Sequence, residues 1–278
     1  MSNPIGWCDI TINPLVGCSK CSPGCDHCYA EKFAARLARN PKTAEKYAGV
    51  VDERGKWTGR INYEGWGCLD TLPRSPKRVF LGSMTDIFHE NSEEAFEDLV
   101  DYMQYVWPQH TFLLLTKRPQ IAEKRIEALP LPKNVWLGVT VCNQAEADAK
   151  LPILMEIRAH KRFVSIEPML GPIALDISVC AECGSWTGPK YPRIGTPFCE
   201  DCGADPVTTK PGIDWIICGG ETGPGARPMR PEWVRCLRDQ CQNTGAPFYF
   251  KGWGGTKKAP ALLDGREWRE FPAQEGER

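Results

Sequence analysis

The chain has 278 residues, of which 42% are hydrophobic and 25% are charged, and its formal net charge is −1. This length is sufficient for one full hydrophobic core with an insertion. The near-neutral charge excludes a chain-wide basic surface for nucleic acid, although it is compatible with a local basic patch. No apolar run is long enough to span a membrane, and the opening MSNPIGWCD lacks the layout of a signal peptide. The 14 cysteines fall mostly into metal-type clusters. We therefore expect a cytoplasmic protein in a reducing compartment, without a membrane partner.

The first apolar segment, Asp9–Val16, leads into a loop with four cysteines in eleven residues, within GCSKCSPGCDHCYA. Thiolates packed this densely, with Pro23 and Gly24 bending the loop, converge on one soft metal centre. The spacing Cys21-x3-Cys25-x2-Cys28 favours a four-iron cluster held by three thiolates, and Cys18 is a fourth candidate ligand. A zinc knuckle or a ferredoxin-like electron carrier that uses all four thiols is the alternative.

Short apolar or β-branched runs alternate with helical patterns along the chain, which predicts an α/β fold with a parallel sheet. The sheet is either wound open or closed, and a partial parallel (β/α) barrel of about six or seven units fits the length. Predicted strands cover Asp9–Val16, Arg78–Met84, Thr111–Thr116, Asn134–Val141, Arg162–Ile166, Ile213–Cys218 and Pro247–Lys251. Predicted helices cover Tyr29–Arg39, Glu93–Trp107, Gln144–His160 and Pro231–Gln242.

Two segments interrupt this alternation. Asn40–Ser75 is rich in glycine and charge and is interpreted as an excursion after the first helix. The second segment, 178–210, predicts a zinc ribbon, because two Cys-x2-Cys pairs lie fifteen residues apart. Its four thiolates leave zinc no open position, so the Zn²⁺ is expected to be structural, and unliganded core cysteines are the alternative. The ribbon ligands are Cys180, Cys183, Cys199 and Cys202.

The predicted domain organisation follows from these segments. Residues 1–177 and 211–254 form the barrel, and the ribbon is inserted between its fifth and sixth strands. Residues 255–278 form a polar tail with one turn at Asp264-Gly265 and a disordered end.

Polar or glycine-rich residues follow most of the predicted strands, where active residues gather in a parallel α/β barrel. Each of them also has a structural interpretation. Thr140 and Asn143 precede a helix and could cap it. A lone histidine such as His89 is more often hydrogen-bonded structure than a ligand or base.

The cysteine loop and the strand–helix rhythm resemble the radical S-adenosylmethionine (SAM) superfamily, whose core is a partial α/β barrel. A closer resemblance is to a phage- and bacterium-encoded radical-SAM-like family and covers residues 7–254. The motifs that carry it are NPLVGC…SPGCDHCYAEKFA, FLGSMTDIFHE, LLTKRP, WLGVTV, SIEPMLGPI, DWIICGGETGPGARPM and FYFKGWG. In that family the cysteine matching Cys18 is regular and the place of Cys21 is often aliphatic, which favours Cys18, Cys25 and Cys28 as ligands. The superfamily spacing favours Cys21 instead of Cys18. His27 stands where an aromatic ring usually precedes the third ligand.

The resemblance implies a 4Fe-4S cluster that cleaves SAM and so abstracts hydrogen from a substrate, with a flavodoxin or ferredoxin as electron donor. It implies SAM contacts from Gly82, Ser83, Met84, Thr140, Asn143, Glu167, Gly219 and Gly220. Lys117, Glu221 and Lys251 are the catalytic candidates, with Arg118 and Arg227 as further substrate contacts. The expected substrate is a nucleobase, nucleotide or nucleic acid. A non-catalytic metal-binding module that docks a partner protein or nucleic acid is the alternative function.

Overall fold

A computed structural model describes residues 5–175, 178–182, 202, 209–256 and 259–273. Seven parallel strands follow one another across a single sheet in the order of the chain, and the sheet curls into a half-barrel. This confirms the predicted α/β architecture. Because all strands point the same way, their carboxyl ends share one rim. The strands are β1 (Ile10–Ile12), β2 (Arg78–Leu81), β3 (Thr111–Thr116), β4 (Val135–Thr140), β5 (Lys161–Ile166), β6 (Trp215–Gly219) and β7 (Phe248–Gly252).

In the described part of the chain, five α-helices connect or follow the strands: α1 (Tyr29–Leu37), α2 (Glu94–Asp101), α3 (Pro119–Ala128), α4 (Gln144–Glu156) and α5 (Pro231–Thr244). Helix α3 lies where only a polar strand end was predicted. It begins with Pro119 at its first turn, but its apolar stripe is short, with Ala122 and Ile126 buried, so its periodicity was weak. Beyond Asp101 the chain continues as one π-helical turn, Tyr102–Val106.

The concave face of the half-barrel is filled with aromatic rings toward the amino ends of the strands. Trp215 lies at the centre of this group, with its ring 6.2 Å from Trp7 and 6.0 Å from Phe163. Gly138 on β4 leaves room for this packing, since a Cβ there would lie 2.3 Å from the Phe163 ring. Because side chains alternate along a strand, the next concave positions of β4 and β5 toward the rim are polar, Thr140 and Ser165. The aromatic floor therefore leaves the polar chemistry at the rim.

The predicted first strand is split. Ile10–Ile12 joins the main sheet, whereas Leu15–Val16 pairs antiparallel with Asn62–Tyr63. Pro14 lies between them and has no N–H for a ladder. The excursion after α1 thus returns to the start of the chain.

The segment after residue 254 differs from the predicted polar tail. Leu262–Leu263 pairs with Arg266–Glu267 around the Asp264-Gly265 turn, and the Phe250 N–H donates to the Trp268 carbonyl. Trp268 is buried. This segment therefore packs beside β7, and its few apolar residues were too widely spaced to signal it.

Between β5 and β6 the described residues contain a short antiparallel pair, Ser178–Cys180 with Thr209–Pro211. Cys183 and Cys199 of the predicted ribbon lie outside the described residues, as do the last residues of the chain, 274–278. Across the described stretches, none of the helices has the length and apolar character that crossing a membrane requires.

Candidate functional site

The cysteine loop, residues 18–28, is fastened at three places to elements that follow the carboxyl ends of β3, β4, β5 and β6. The first fastening is Arg118, which follows β3. Its guanidinium donates to the Ser19 carbonyl at 3.1 Å and to the Ser19 hydroxyl at 2.7 Å, and it pairs with Asp86 at 3.3 Å. Asp86 also accepts from the Thr116 hydroxyl at 2.7 Å. Arg118 and Asp86 are both 6% exposed, so the loop is held by a desolvated ion pair. We call this the Arg118 clamp.

His89 completes the Arg118 clamp. Its Nδ1 accepts from the Asn91 N–H at 3.1 Å, so Nε2 is the protonated nitrogen of the neutral ring and lies 2.9 Å from the Ser19 hydroxyl. Burial, followed by the charge of Arg118, lowers the pKa of His89 and keeps the ring neutral. His89 therefore has the structural role considered above: it is a hydrogen-bonded side chain of the clamp.

The second fastening joins the middle of the loop to the start of α4. The Cys142 N–H donates to the Glu146 carboxylate at 3.0 Å, and Lys150 pairs with it at 2.6 Å. Burial raises the pKa of Glu146, but hydrogen bonds from Cys142, Lys150 and Ser22 lower it. Gly24 lies against the end of β5, where an added Cβ would be 3.3 Å from the Pro168 ring. We call this the Glu146 clamp.

The third fastening, the Glu221 clamp, follows β6. The Glu221 carboxylate accepts from the Arg227 side chain at 2.5 and 3.0 Å, from the Arg227 N–H at 2.8 Å and from His27 Nδ1 at 2.9 Å. Arg227 also donates to the Pro23 carbonyl at 2.9 Å and pairs with Asp26 at 3.3 Å. Burial raises the pKa of Glu221, but the hydrogen bonds from Arg227 and His27 lower it to about 2. Glu221, predicted as a catalytic residue, is placed here as an ionised carboxylate that positions the loop.

Lys117, which follows β3, interacts electrostatically with three thiols of the cysteine loop, those of Cys25, Cys28 and Cys18. The Cys21 and Cys25 thiols share a hydrogen bond, which raises the pKa of Cys21 and, together with Lys117, lowers the pKa of Cys25. Burial raises the pKa of Cys18 to about 11. For Lys117, burial lowers the pKa, but Cys25, Asp86, Cys28 and Cys18 raise it further, so its ammonium stays charged beside the thiols. Among the described residues, no three Cys, His, Asp or Glu side chains are arranged as ligands of one metal ion.

Beside the loop, the rim of the concave face brings two predicted site residues together. Glu167, after β5, forms an ion pair with Lys251, the fourth residue of β7. Gly219 lies between them, since a Cβ on Gly219 would be 3.4 Å from both side chains. The Thr140 hydroxyl at the end of β4 is 1% exposed and has no hydrogen-bond partner among the described residues. A buried hydroxyl left without a partner is costly, which marks Thr140 as a candidate ligand contact.

Asn143 and the predicted SAM contacts after β2 form hydrogen bonds within the protein. The Asn143 side chain accepts from the Glu146 N–H at 2.9 Å, which is the capping alternative considered for it. The Ser83 hydroxyl and the Met84 N–H both donate to the Asn13 side chain, at 3.1 and 3.0 Å. Gly82 adopts a φ of +84°, a conformation that favours glycine.

A family model described as "Protein of unknown function (DUF5131)" matches residues 2–272. The chain belongs to the DUF5131 family. No curated protein and no solved structure matched it significantly.

Gly220 in this DUF5131 protein has a packing role. A Cβ on Gly220 would lie 2.1 Å from the Trp253 carbonyl oxygen, and one on Gly254 would lie 2.2 Å from the Glu221 carbonyl oxygen. The loops after β6 and β7 therefore cross backbone to backbone. This explains the glycine at 220 without a ligand, whereas Gly219 faces the Glu167–Lys251 pair.

In the insertion of the DUF5131 protein, the Cys180 and Cys202 sulfurs lie 3.8 Å apart. The two residues come from different Cys-x2-Cys pairs, so the fold brings the two halves of the predicted ribbon together. A disulfide would require a sulfur–sulfur distance of about 2.05 Å, so the two thiols are not bonded to each other.

Several residues of the clamps were missed by sequence reasoning, among them Ser19, Ser22 and Glu146. The two serines are common surface residues with no motif of their own, and their partners are far away in the sequence. Ser19 and Arg118, for example, are separated by 99 residues. The only local signal for the serines was their placement between cysteines.

Proposed function

We propose that this protein is a radical SAM enzyme whose cysteine loop holds a 4Fe-4S cluster at the rim of the half-barrel. The observation that carries the proposal is the position of the loop, which three clamps fasten beside the carboxyl ends of β3 to β6. In parallel α/β sheets this edge is where ligands bind and chemistry takes place. A passive metal knuckle has no need of such support.

The donor set suits an iron–sulfur cluster, because four thiols on one short loop supply soft ligands. Cys18, Cys25 and Cys28 are the proposed ligands, with Cys21 beside them. When bound and reduced, such a cluster supplies the electron that cleaves SAM to methionine and a carbon radical, which takes a hydrogen atom from the substrate.

The residues of the chain would bind, orient and shield these groups. Lys117 places a positive charge next to the thiolates and offsets part of the negative charge of a thiolate-bound cluster. Thr140 offers a buried hydroxyl to a ligand on the concave face, and the Glu167–Lys251 pair offers one charge of each sign. The aromatic floor below them excludes water from the amino-terminal half of the half-barrel.

We also propose that the insertion binds a structural zinc ion through Cys180, Cys183, Cys199 and Cys202. In a tetrahedral site with zinc–sulfur bonds of about 2.3 Å, neighbouring sulfurs lie about 3.8 Å apart. The separation of Cys180 and Cys202 matches that edge, which supports the proposal.

The test is anaerobic reconstitution with iron and sulfide, followed by iron analysis and electron paramagnetic resonance with and without SAM. We expect one 4Fe-4S cluster, a spectrum that changes when SAM binds, and release of 5′-deoxyadenosine after reduction by dithionite or by a flavodoxin or ferredoxin. A preparation that takes up only zinc in the cysteine loop, with no iron absorbance, would refute the proposed enzymatic function.

A further inference from the structure

The exposed face of α1 combines two aromatic rings with two cations. Tyr29, Lys32, Phe33 and Arg36 are spaced i, i+3, i+4 and i+7, so they share one side of the helix, and all four are exposed. Tyr29 is 54% exposed and Phe33 is 42% exposed, unusually high fractions for such large rings. We call these four residues the α1 stripe.

The α1 stripe carries positive charge and no negative charge. Glu31, the only acid in α1, is buried and turned away, where it accepts from the Trp57 N–H at 3.1 Å and pairs with Lys56. Neither Lys32 nor Arg36 forms an ion pair with a described residue. The Arg36 guanidinium instead lies 4.4 Å from the centre of the Phe33 ring. Two unneutralised cations beside two exposed rings, one of which already carries the Arg36 guanidinium on one face, suit a ligand that has both negative charge and flat rings.

The stripe begins at the proposed reaction site. Tyr29 directly follows Cys28, and its hydroxyl donates to the Ser83 carbonyl at 2.9 Å, which fixes the ring next to the end of β2. From Tyr29 to Arg36 the helix rises about 10 Å, roughly three times the 3.4 Å spacing of stacked bases. A strand lying along the stripe would therefore lead to the cysteine loop.

We propose that the α1 stripe binds single-stranded nucleic acid, with bases stacking on Tyr29 and Phe33 and phosphates contacting Lys32 and Arg36. This inference rests on the proposed function in one respect, because it names the substrate class of that site. Single strands are preferred over duplex because a base must leave its stack before its face can lie on a protein ring. The positive charge that would complement the phosphates is confined to the α1 stripe, which is consistent with the net charge of −1 for the whole chain.

The experiment measures binding of a fluorescein-labelled oligothymidylate of about 12 nucleotides to the full chain by anisotropy, over a series of salt concentrations. We expect Phe33→Ala to weaken binding by roughly 5- to 100-fold, because stacking on that ring is lost. Arg36→Gln and Lys32→Gln should each weaken binding and lower the slope of log affinity against log salt by about 0.7. Matched controls are Tyr105→Ala, which removes another exposed ring, and Lys124→Gln on α3, and neither should change the affinity.

Three results would overturn the proposal: no binding of the oligonucleotide, equal binding by wild type and Phe33→Ala, or equally tight binding of the matching duplex. Salt-dependent binding that Phe33→Ala leaves unchanged would show that the oligonucleotide is held by charge alone, without stacking on the α1 stripe. Binding is measured without SAM or reduction, so its failure is separable from that of the enzyme. If 5′-deoxyadenosine is released but no oligonucleotide binds, the stripe proposal alone fails. If the oligonucleotide binds but no cluster forms, the enzyme proposal alone fails.

Discussion

The cysteine loop and the insertion each carry four cysteines, but they are held by different forces. The cysteine loop is fastened through Ser19, Ser22 and His27, none of which is a proposed ligand. The fastening therefore does not use the four thiols, which stay available to bind a metal. The described part of the insertion offers a two-stranded pair and the meeting of Cys180 with Cys202. Side chains of the half-barrel thus set the place of the cysteine loop, whereas the proposed zinc would supply much of the folding free energy of the insertion.

The clamps are better understood as positioning devices than as sources of stability. Bringing Arg118 and Asp86 out of water costs free energy that their attraction only partly offsets. The gain is a defined place for the loop, because the planar guanidinium of Arg118 binds Ser19 through one nitrogen and Asp86 through another. A reactive group that must meet its substrate benefits from this order.

The largest effect is expected from removing metal from the insertion. A structural zinc site contributes roughly 10 kcal/mol or more to the folding of a small module. A strong chelator, or Cys180→Ser, should therefore make residues 178–210 sensitive to protease while the fragment 5–175 stays resistant. Limited proteolysis with mass spectrometry and zinc analysis checks this. Cys236→Ser on α5 is the control and should change neither readout; a zinc-free insertion that resists protease would contradict the expectation.

The cysteine loop should respond in the opposite way, losing its cluster without losing its fold. We expect Cys18→Ala, Cys25→Ala and Cys28→Ala to abolish the cluster and Cys21→Ala to retain most of it, because three ligands leave one iron open for SAM. Iron and sulfide content with electron paramagnetic resonance measures this, and circular dichroism should stay unchanged. If Cys21→Ala loses the cluster and Cys18→Ala keeps it, the ordinary superfamily spacing applies.

Breaking the Arg118 clamp should destabilise the whole chain. Arg118→Ala leaves Asp86 buried without its partner, which is expected to lower the free energy of unfolding by about 3–5 kcal/mol. Chemical denaturation at neutral pH measures the change. Arg235→Ala, which breaks an exposed pair with Asp264, should leave the denaturation midpoint where it is. Equal effects of the two substitutions would mean that the buried Asp86 carboxylate does not depend on Arg118 to offset its charge.

The Glu221 clamp should give a smaller effect that depends on pH. Because the folded-state pKa of Glu221 is lowered to about 2, its contribution is fully present above its ordinary value of 4.5 and is lost as the pH falls toward 2. Glu221→Gln should therefore lower the free energy of unfolding by about 1.5–3 kcal/mol at pH 7 and by less at pH 3. Urea denaturation at both pH values tests this. A difference that does not change with pH would show that the charge of Glu221 is irrelevant.

Much of the fold was predictable because the sheet is buried on both faces. Strands such as Thr111–Thr116 are continuous apolar runs, and the structure reproduces that prediction residue for residue. Errors arose where local patterns were weak or ambiguous. Pro14 split the first strand, α3 has few apolar residues, and Trp268 packs beside β7 from a segment that reads as polar.

The candidate site was predictable to the extent that its residues follow strands. Lys251 and Glu167 were both singled out in this way, and parallel strands bring such residues to the same rim. The role that each of these residues has in the structure could not be predicted from its position after a strand. Glu221 accepts several hydrogen bonds and Asn143 caps α4, whereas the Thr140 hydroxyl has no hydrogen-bond partner among the described residues.

The element order, the strand–helix rhythm and the two groups of cysteines can be derived from the residues alone, because periodicity and spacing are local properties of a chain. The side chains that hold the cysteine loop, and those that remain available to a ligand, depend on how the chain folds. Ser19 meets Arg118, and His27 meets Glu221, across 99 and 194 residues. Such pairings depend on the curvature of the sheet and the order of its strands. Neither property can be derived from the local sequence around the paired residues.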